Sequence, residues 1–389
     1  MTTFCQADVL AIFAAKTVRT FCYGFLGIVL PVYLSDLGLS AAGVGVAVTL
    51  TLAGSAALTW LVRRPAERYG ARAALLALGA LSAVAAVIFL SSRDPRLVVL
   101  AAILGNVAVG TGETGPFLTL EQVRIARAVP ASRRTVALSV YNFLGYAAAA
   151  LGAVTVGALA AYRPLFVIFL AGAAVQCAAY ACLPREASEE RRRPEGTRLP
   201  SAPLIRRLAA LGALDSFAGG FVLQSLVVYF FHERYALGLE ALGYVFFATQ
   251  ILTAASLLLA ARAAARFGLL ATMVVSHLVS NVVLILIAFA PTASVAIALL
   301  CVRQLLSQMD VPTRQAYLMA LVADHEREAA ATTTNVARTV AQAVTPALTG
   351  WVMQAVALAA PFVAGGALKI AYDLLLYWTF KDVKLHPDA

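Results

Sequence analysis

Charge is what this chain has least of. Only 13% of its 389 residues are Asp, Glu, Lys or Arg, against about 25% in soluble domains. That is too little to solvate a large surface, so a large soluble enzyme is excluded. Histidine and cysteine are also sparse, at four and five residues. Cys5, Cys22, Cys177, Cys182 and Cys301 are scattered, with neither a disulfide framework nor a zinc spacing. There is no P-loop, no zinc-binding helix and no serine nucleophile elbow. No enzyme activity, cofactor or metal is therefore expected, and a nucleotide-driven process is excluded with them.

Apolar residues fill the space that charge leaves. They make up 61% of the chain, and one membrane helix needs about 20 of them to cross about 30 Å of hydrocarbon. Apolar stretches lie near residues 9–34, 41–62, 73–92, 97–120, 135–161, 164–183, 206–231, 239–261, 269–290, 293–320, 330–357 and 359–380, which predicts twelve transmembrane helices. The first run is too long for the apolar region of a signal peptide and reads as a retained span.

The net charge of +10 would suggest nucleic acid in a soluble chain, but its distribution indicates a membrane topology instead. With the N-terminus inside, twenty basic residues fall in inner loops and the C-terminal tail and four in outer loops. This asymmetry predicts both termini in the cytoplasm. The stretch 184–203 carries nine charged residues in twenty and reads as a solvated linker. The expected organisation is a six-helix bundle over 1–183, a cytoplasmic linker over 184–205 and a second six-helix bundle over 206–389.

The two halves repeat one another. Thr20-Phe21-x-x-Gly24-Phe25 recurs as Ser216-Phe217-x-x-Gly220-Phe221 and Pro116 as Pro312, both 196 residues on. Arg68-Tyr69-Gly70 recurs as Arg266-Phe267-Gly268 at an offset of 198, and Asn142 and Gly157 recur as Asn335 and Gly350 at 193. A six-plus-six repeat is a transporter signature, with the solute expected near the midplane between the halves.

The chain resembles the major facilitator superfamily at this point. The loop Arg63-Arg64-Pro65-Ala66-Glu67-Arg68-Tyr69-Gly70-Ala71-Arg72 is similar to that family's G-x-x-x-D-R-x-G-R-R motif: Arg68, Gly70 and Arg72 match, while Arg63, Glu67 and Ala71 depart from it. The resemblance implies an all-α membrane protein of bacterial type, with two pseudo-symmetric bundles that rock around a central cavity. It implies a gating role for Glu67, Arg68 and Gly70, and it makes spans one, four, seven and ten central, with five and eleven also facing the cavity. The Gly-Pro motif of the family's drug antiporters is absent from span five.

Six basic residues fall within the predicted spans: Lys16, Arg19, Arg303, Arg314, Arg338 and Lys369, with the acids Glu113, Asp215, Asp310 and Asp373. Each costs about 2.5–3.5 kcal/mol at a helix centre, so ten facing lipid would cost about 25–35 kcal/mol, more than the usual net stability of about 5–15 kcal/mol. They must face one another or water. Their spacing places them on stripes: Lys16, Arg19 and Tyr23 in span one; Asn106, Gly110, Glu113 and Phe117 in span four; Arg303, Ser307, Asp310, Arg314 and Tyr317 in span ten; Asn335, Arg338 and Gln342 in span eleven. Arg19 and Asp215 are equivalent in the repeat and of opposite sign, which suggests a pair across the cavity. Lys369 and Asp373, four apart in span twelve, read as a self-neutralising pair, and the lone His277 reads as packing.

Without that last pair, cations exceed anions by two, so a solute bearing carboxylate or phosphate is expected. Lys16, Arg19, Tyr23, Asn106, Asn142, Arg303, Arg314, Asn335 and Arg338 are the expected solute ligands. Glu113, Asp215 and Asp310 are the expected proton carriers. The leading reading is a monomeric, proton-coupled secondary transporter of a small organic anion in the bacterial inner membrane, whose partners are the solute, the coupling ion and lipid, not nucleic acid. Drug or metabolite efflux through a pocket of Tyr23, Phe117, Tyr141, Tyr146 and Phe217 is the alternative, and a non-transporting membrane sensor is a third reading.

Overall fold

A computed structural model describes residues 2–108, 115–184, 202–310, 313–314, 317 and 327–382. Fourteen helices run through the described residues: α1 (Thr2–Asp36), α2 (Ala41–Tyr69), α3 (Ala71–Ser91), α4 (Pro95–Leu104), α5 (Pro116–Ala128), α6 (Ala131–Leu159), α7 (Tyr162–Ala181), α8 (Ala202–Gly220), α9 (Gln224–Tyr235), α10 (Leu239–Phe267), α11 (Leu269–Ala288), α12 (Ala293–Ser307), α13 (Arg327–Ala355) and α14 (Ala360–Phe380). Among the described residues, eight segments are long and apolar enough to cross a membrane, and α4 and α12 are shorter apolar helices. Hydrocarbon offers backbone amides no partner, and a helix satisfies them within the segment. Trp60, Phe143 and Trp378 are each more than 60% exposed, an arrangement suited to lipid rather than water.

The chain divides into two compact units: Met1–Ser40 with Val46–Arg193 and Ala236–Phe247, and Ala41–Gly45 with Pro194–Tyr235 and Ala248–Ala389. In the first, α1 packs against α6 and α7, and α3 packs against α7 and α4. In the second, α8 packs against α13 and α14, and α11 packs against α14 and α12. These are the same four pairings, so the repeat seen in sequence is a repeat of helix packing.

Individual residues follow it. Gly70 and Gly268 precede α3 and α11 with φ of 85° and 84°, a conformation costly to any residue with a Cβ. Arg68 lies over the Tyr69 ring at 5.4 Å and Arg266 over Phe267 at 5.3 Å. Phe21 and Phe25 meet edge to face at 5.8 Å, and Phe217 and Phe221 at 5.7 Å. Gly24 lies so close to the backbone of Ala149 that no Cβ fits, and Gly220 presses in the same way on the side chain of Thr345. Both glycines let the first helix of a unit approach its fifth span closely, as small residues do in membrane interfaces.

The structure departs from the expected spans at three places. In span four, α4 stops at Leu104 and Asn106 takes φ of 48°, while Tyr23 Oη donates to the released Gly105 carbonyl at 3.1 Å. In span seven, α8 stops at Gly220 and α9 starts at Gln224; the Gly220 carbonyl accepts from Thr349 Oγ1 at 3.5 Å. In span ten, α12 stops at Ser307 and Gln308 caps it. Hydrophobic periodicity continues through these breaks, so the sequence does not announce them. Neighbouring side chains satisfy the freed backbone, which is the condition for irregular backbone at membrane depth.

Replacing Gly24 or Gly220 by Val should destabilise its unit by about 1–3 kcal/mol or more through overpacking. Gly238, where an added Cβ would meet no atom within 4 Å, should accept Ala with little change. Thermal unfolding of the detergent-purified chain would separate the two cases, and equal melting temperatures for all three variants would refute the close-approach argument.

Candidate functional site

In the first unit the buried charges centre on Glu121. Arg19, on α1, grips it with both arms of the guanidinium, Nη1 to Oε1 at 2.8 Å and Nη2 to Oε2 at 2.6 Å. Tyr141 of α6 donates to Oε2 and Tyr180 of α7 to Oε1, both at 2.6 Å. Tyr180 in turn accepts from Arg19 at 2.6 Å and from Gln176 at 3.2 Å. A carboxylate has about four lone-pair sites, and four donors occupy them here. The Arg19 guanidinium also lies 4.5 Å from the Phe117 ring centroid, and the Lys16 ammonium 4.4 Å from that of Tyr141. Lys16 Cε presses on Gly145.

Glu121 does not figure among the residues expected from sequence, because the predicted span four ends at residue 120. The signal was present: continuing the Glu113, Phe117 stripe by one turn reaches Glu121, then Arg124. Arg124 pairs with Asp8 at 3.6 Å.

In the second unit the centre is Asp215, on α8. Its Oδ1 accepts from Lys369 Nζ at 2.7 Å, and its Oδ2 from Arg338 Nη1 at 2.9 Å and Arg314 Nη1 at 3.3 Å. Arg314 is shared with Asp310 at 2.6 Å. Behind Lys369, His277 of α11 places Nδ1 2.7 Å from Asp373 Oδ1, and Asn281 donates to Asp373 Oδ2 at 3.0 Å. His277 Nε2 lies 3.4 Å from Lys369 Nζ and 3.8 Å from Asp215 Oδ1. The Tyr372 ring meets the imidazole edge on at 5.9 Å.

Three sequence expectations are corrected by these contacts. Arg19 and Asp215 are equivalent positions, but Arg19 is held by Glu121 and Asp215 by Lys369, Arg338 and Arg314. Lys369 and Asp373 take closer partners than each other; Lys369 turns to Asp215 on α8 and Asp373 to His277 on α11. A spacing of four brings two side chains to one helix face, but a shorter partner on a neighbouring helix outcompetes the i,i+4 contact. His277, read as packing, is the link between Asp373 and the Asp215 centre.

Other expected residues are placed as follows. Tyr23 is committed to the Gly105 carbonyl. Asn106 is buried at the break in span four, and neither of its side-chain polar atoms has a hydrogen-bond partner among the described residues. Asn142 is exposed. Arg303 donates from Nη1 to Gln304 at 3.0 Å and keeps a buried, unpartnered Nε. Arg68 is exposed over Tyr69 and Gly70 starts α3. Glu113 and the side chains of Glu67 and Asn335 lie outside the described residues.

Of the charges within the predicted spans of the second half, Arg303, Arg314, Arg338 and Lys369 stand against Asp215, Asp310 and Asp373, one positive charge over. Arg314 and Arg338 are also the most accessible of the paired cations there, with side chains 15% and 23% exposed against 3% for Asp215. They can hold Asp215 and still present donors elsewhere.

The sequence matches the profile of the Major Facilitator Superfamily over residues 12–302. An uncharacterized membrane protein of Saccharomyces cerevisiae, YJR124C, is 24% identical over 423 aligned positions, which cover 97% of this chain and 94% of that protein. A relative in yeast removes the restriction to a bacterial membrane. Among solved structures, the nucleoside transporter NupG superposes with a TM-score of 0.74 at 13% identity, covering 96% of this chain and 99% of that one. The D-xylose-proton symporter gives 0.72 at 14%, covering 97% and 98%, and the human organic anion transporter MFSD10 gives 0.69 at 16%, covering 96% and 99%.

Removing one partner of a buried pair strands the other, at a cost of about 3–5 kcal/mol. Glu121→Ala should therefore lower the melting temperature sharply. Replacing both Arg19 and Glu121 by Met should recover most of that loss, because no uncompensated charge remains. A double variant as unstable as Glu121→Ala would show that the pair is not what holds these helices.

Proposed function

The chain belongs to the major facilitator superfamily, and from that premise we propose that it is a secondary transporter moving a small organic anion by alternating access, coupled to protons. As a multi-pass membrane transporter it is no enzyme, and its solute is a small molecule met within the bilayer. The observation that carries the anion is the surplus cation of the second unit. An isolated buried charge costs several kcal/mol, and a carboxylate or phosphate on the solute supplies the missing counter-charge. Arg303, whose Nε has no partner among the described residues, and the partly accessible Arg314 and Arg338 are the anion ligands on this reading. A planar guanidinium suits both anion types. In the first unit, taken by itself, Asn106 is buried with no amide partner among the described residues and sits at a helix break, where transporters of this architecture bind solutes.

The aromatic pocket of the efflux reading finds less support. Tyr23, Phe117 and Tyr141 are buried and engaged, with the Gly105 carbonyl, the Arg19 guanidinium and Glu121 respectively. Only Tyr146 and Phe217 of that set are left for an adaptable surface.

The test is uptake into proteoliposomes under an inward-directed acid gradient, with radiolabelled pyruvate, succinate and glucose 6-phosphate as anions, and xylose and tetraphenylphosphonium as neutral and cationic controls. At least one anion should accumulate while the controls do not. Arg303→Gln should weaken its apparent affinity by about 10–100-fold, the worth of one hydrogen bond to a charged group. Accumulation of the cation alone, reversed by Asn106→Ala but not by Arg303→Gln, would overturn the anion reading.

A further inference from the structure

We propose that His277 takes up a proton on Nε2, and that the imidazolium then displaces Lys369 from Asp215. The role in coupling rests on the transport reading above, but the ring's chemistry does not. With Asp373 ionised and able only to accept, Nδ1 at 2.7 Å carries the hydrogen, and the Asn281 amide, 3.2 Å from Nδ1, donates to Asp373 Oδ2 at 3.0 Å instead. The Nδ1 hydrogen bond fixes the tautomer and leaves the lone pair on Nε2. That lone pair faces Lys369 Nζ at 3.4 Å, with Asp215 Oδ1 at 3.8 Å beyond it. A proton arriving on Nε2 turns it from acceptor to donor. Two cations then stand against each other and compete for one carboxylate oxygen.

The charged groups around the ring are few. From α14 come Asp373 and Lys369, with Tyr372 edge on; from α8 comes Asp215, backed by Arg314 and Arg338. From α12, also packed on α11, comes Arg303, whose Nη1 is turned to Gln304. With the ring neutral, Lys369, Arg314 and Arg338 balance Asp215, Asp310 and Asp373, so a proton on the ring raises the local charge by one. The nearest relief is for Nε2–H to bond Asp215 Oδ1 while the Lys369 ammonium, still protonated, loses its bond there. The cluster then holds a cation without a counter-charge, and an anionic solute is favoured by the proton's arrival. On the same face of α11, Ser280 Oγ and Asn281 Oδ1 are buried with no hydrogen-bond partner among the described residues.

Three other histidines, His232, His325 and His386, can be replaced by Gln to leave a single imidazole. In that chain, labelled with ¹⁵N-histidine and held in lipid nanodiscs, the spectrum at about pH 8 should show a neutral ring protonated on Nδ1. It should convert to imidazolium on acidification to about pH 5, and Asp373→Asn should abolish the preference for one tautomer. A ring neutral throughout that range, or charged throughout it, overturns the proposal. In flux, His277→Gln should flatten the pH dependence of anion accumulation, and an unaltered pH profile counts against it as well. The spectroscopic measurement needs no solute. A chain that moves no anion but titrates at this ring therefore loses the function proposed above and keeps this one.

Discussion

Hydrocarbon cannot screen charge, and the interior of this protein is arranged around that fact. Ten ionisable residues lie within predicted spans, and most of the described ones gather around two carboxylates, Glu121 and Asp215. Each carboxylate gathers side chains from helices distant in sequence: Glu121 draws in α1, α6 and α7, and Asp215 draws in α13, α14 and Arg314. Apolar packing alone discriminates weakly between helices in a bilayer, where lipid tails are as apolar as leucine. The ion pairs therefore specify which helices meet, and the glycines at Gly24 and Gly220 set how closely.

Much of this was legible in the sequence. Low charge and long apolar runs are sufficient for the membrane class, and the 196-residue offset correctly anticipates matching glycine contacts, aromatic pairs and helix pairings. The polar stripes of spans one, ten and eleven carry Arg19, Arg314 and Arg338, which pair with buried carboxylates. What stayed hidden was partner choice and helix continuity. Glu121 was outside a span edge drawn by hydropathy, although the stripe ran on to it. His277 looked solitary because its partners, Asp373 and Lys369, lie 96 and 92 residues away. The breaks after Leu104 and Gly220 depend on Tyr23 and Thr349 reaching over from other helices, and a window of local sequence does not contain them.

The repeat conserves geometry while inverting charge. Arg19 and Asp215 are equivalent, yet one is the cation and the other the anion at the heart of its unit. Tyr317, equivalent to Glu121, bonds the Phe380 carbonyl instead, because the second unit keeps its acid on α8. Lys16 presses on Gly145 of the fifth span, whereas Arg338 of the eleventh presses on Gly212. Those two pairs match at offsets of 196 and 193 with their roles exchanged: a long cation fills the same space from the opposite helix.

The inversion gives the two central carboxylates different sets of donors. Around Glu121 a bidentate guanidinium and two phenols fill the available lone pairs, and none of those donors titrates near neutrality. Such a centre is closed, and its energy goes into holding α1 against α6 and α7. Around Asp215 the donors are shared: Arg314 with Asp310, Arg338 with the Gly212 carbonyl, and Lys369 with an imidazole. A shared donor can be exchanged at the cost of one contact rather than a whole network, and the imidazole is the one group present whose ordinary range spans physiological pH. The first unit is therefore built as a fixed brace, and on the reading proposed above the second is where proton and anion trade the same cation.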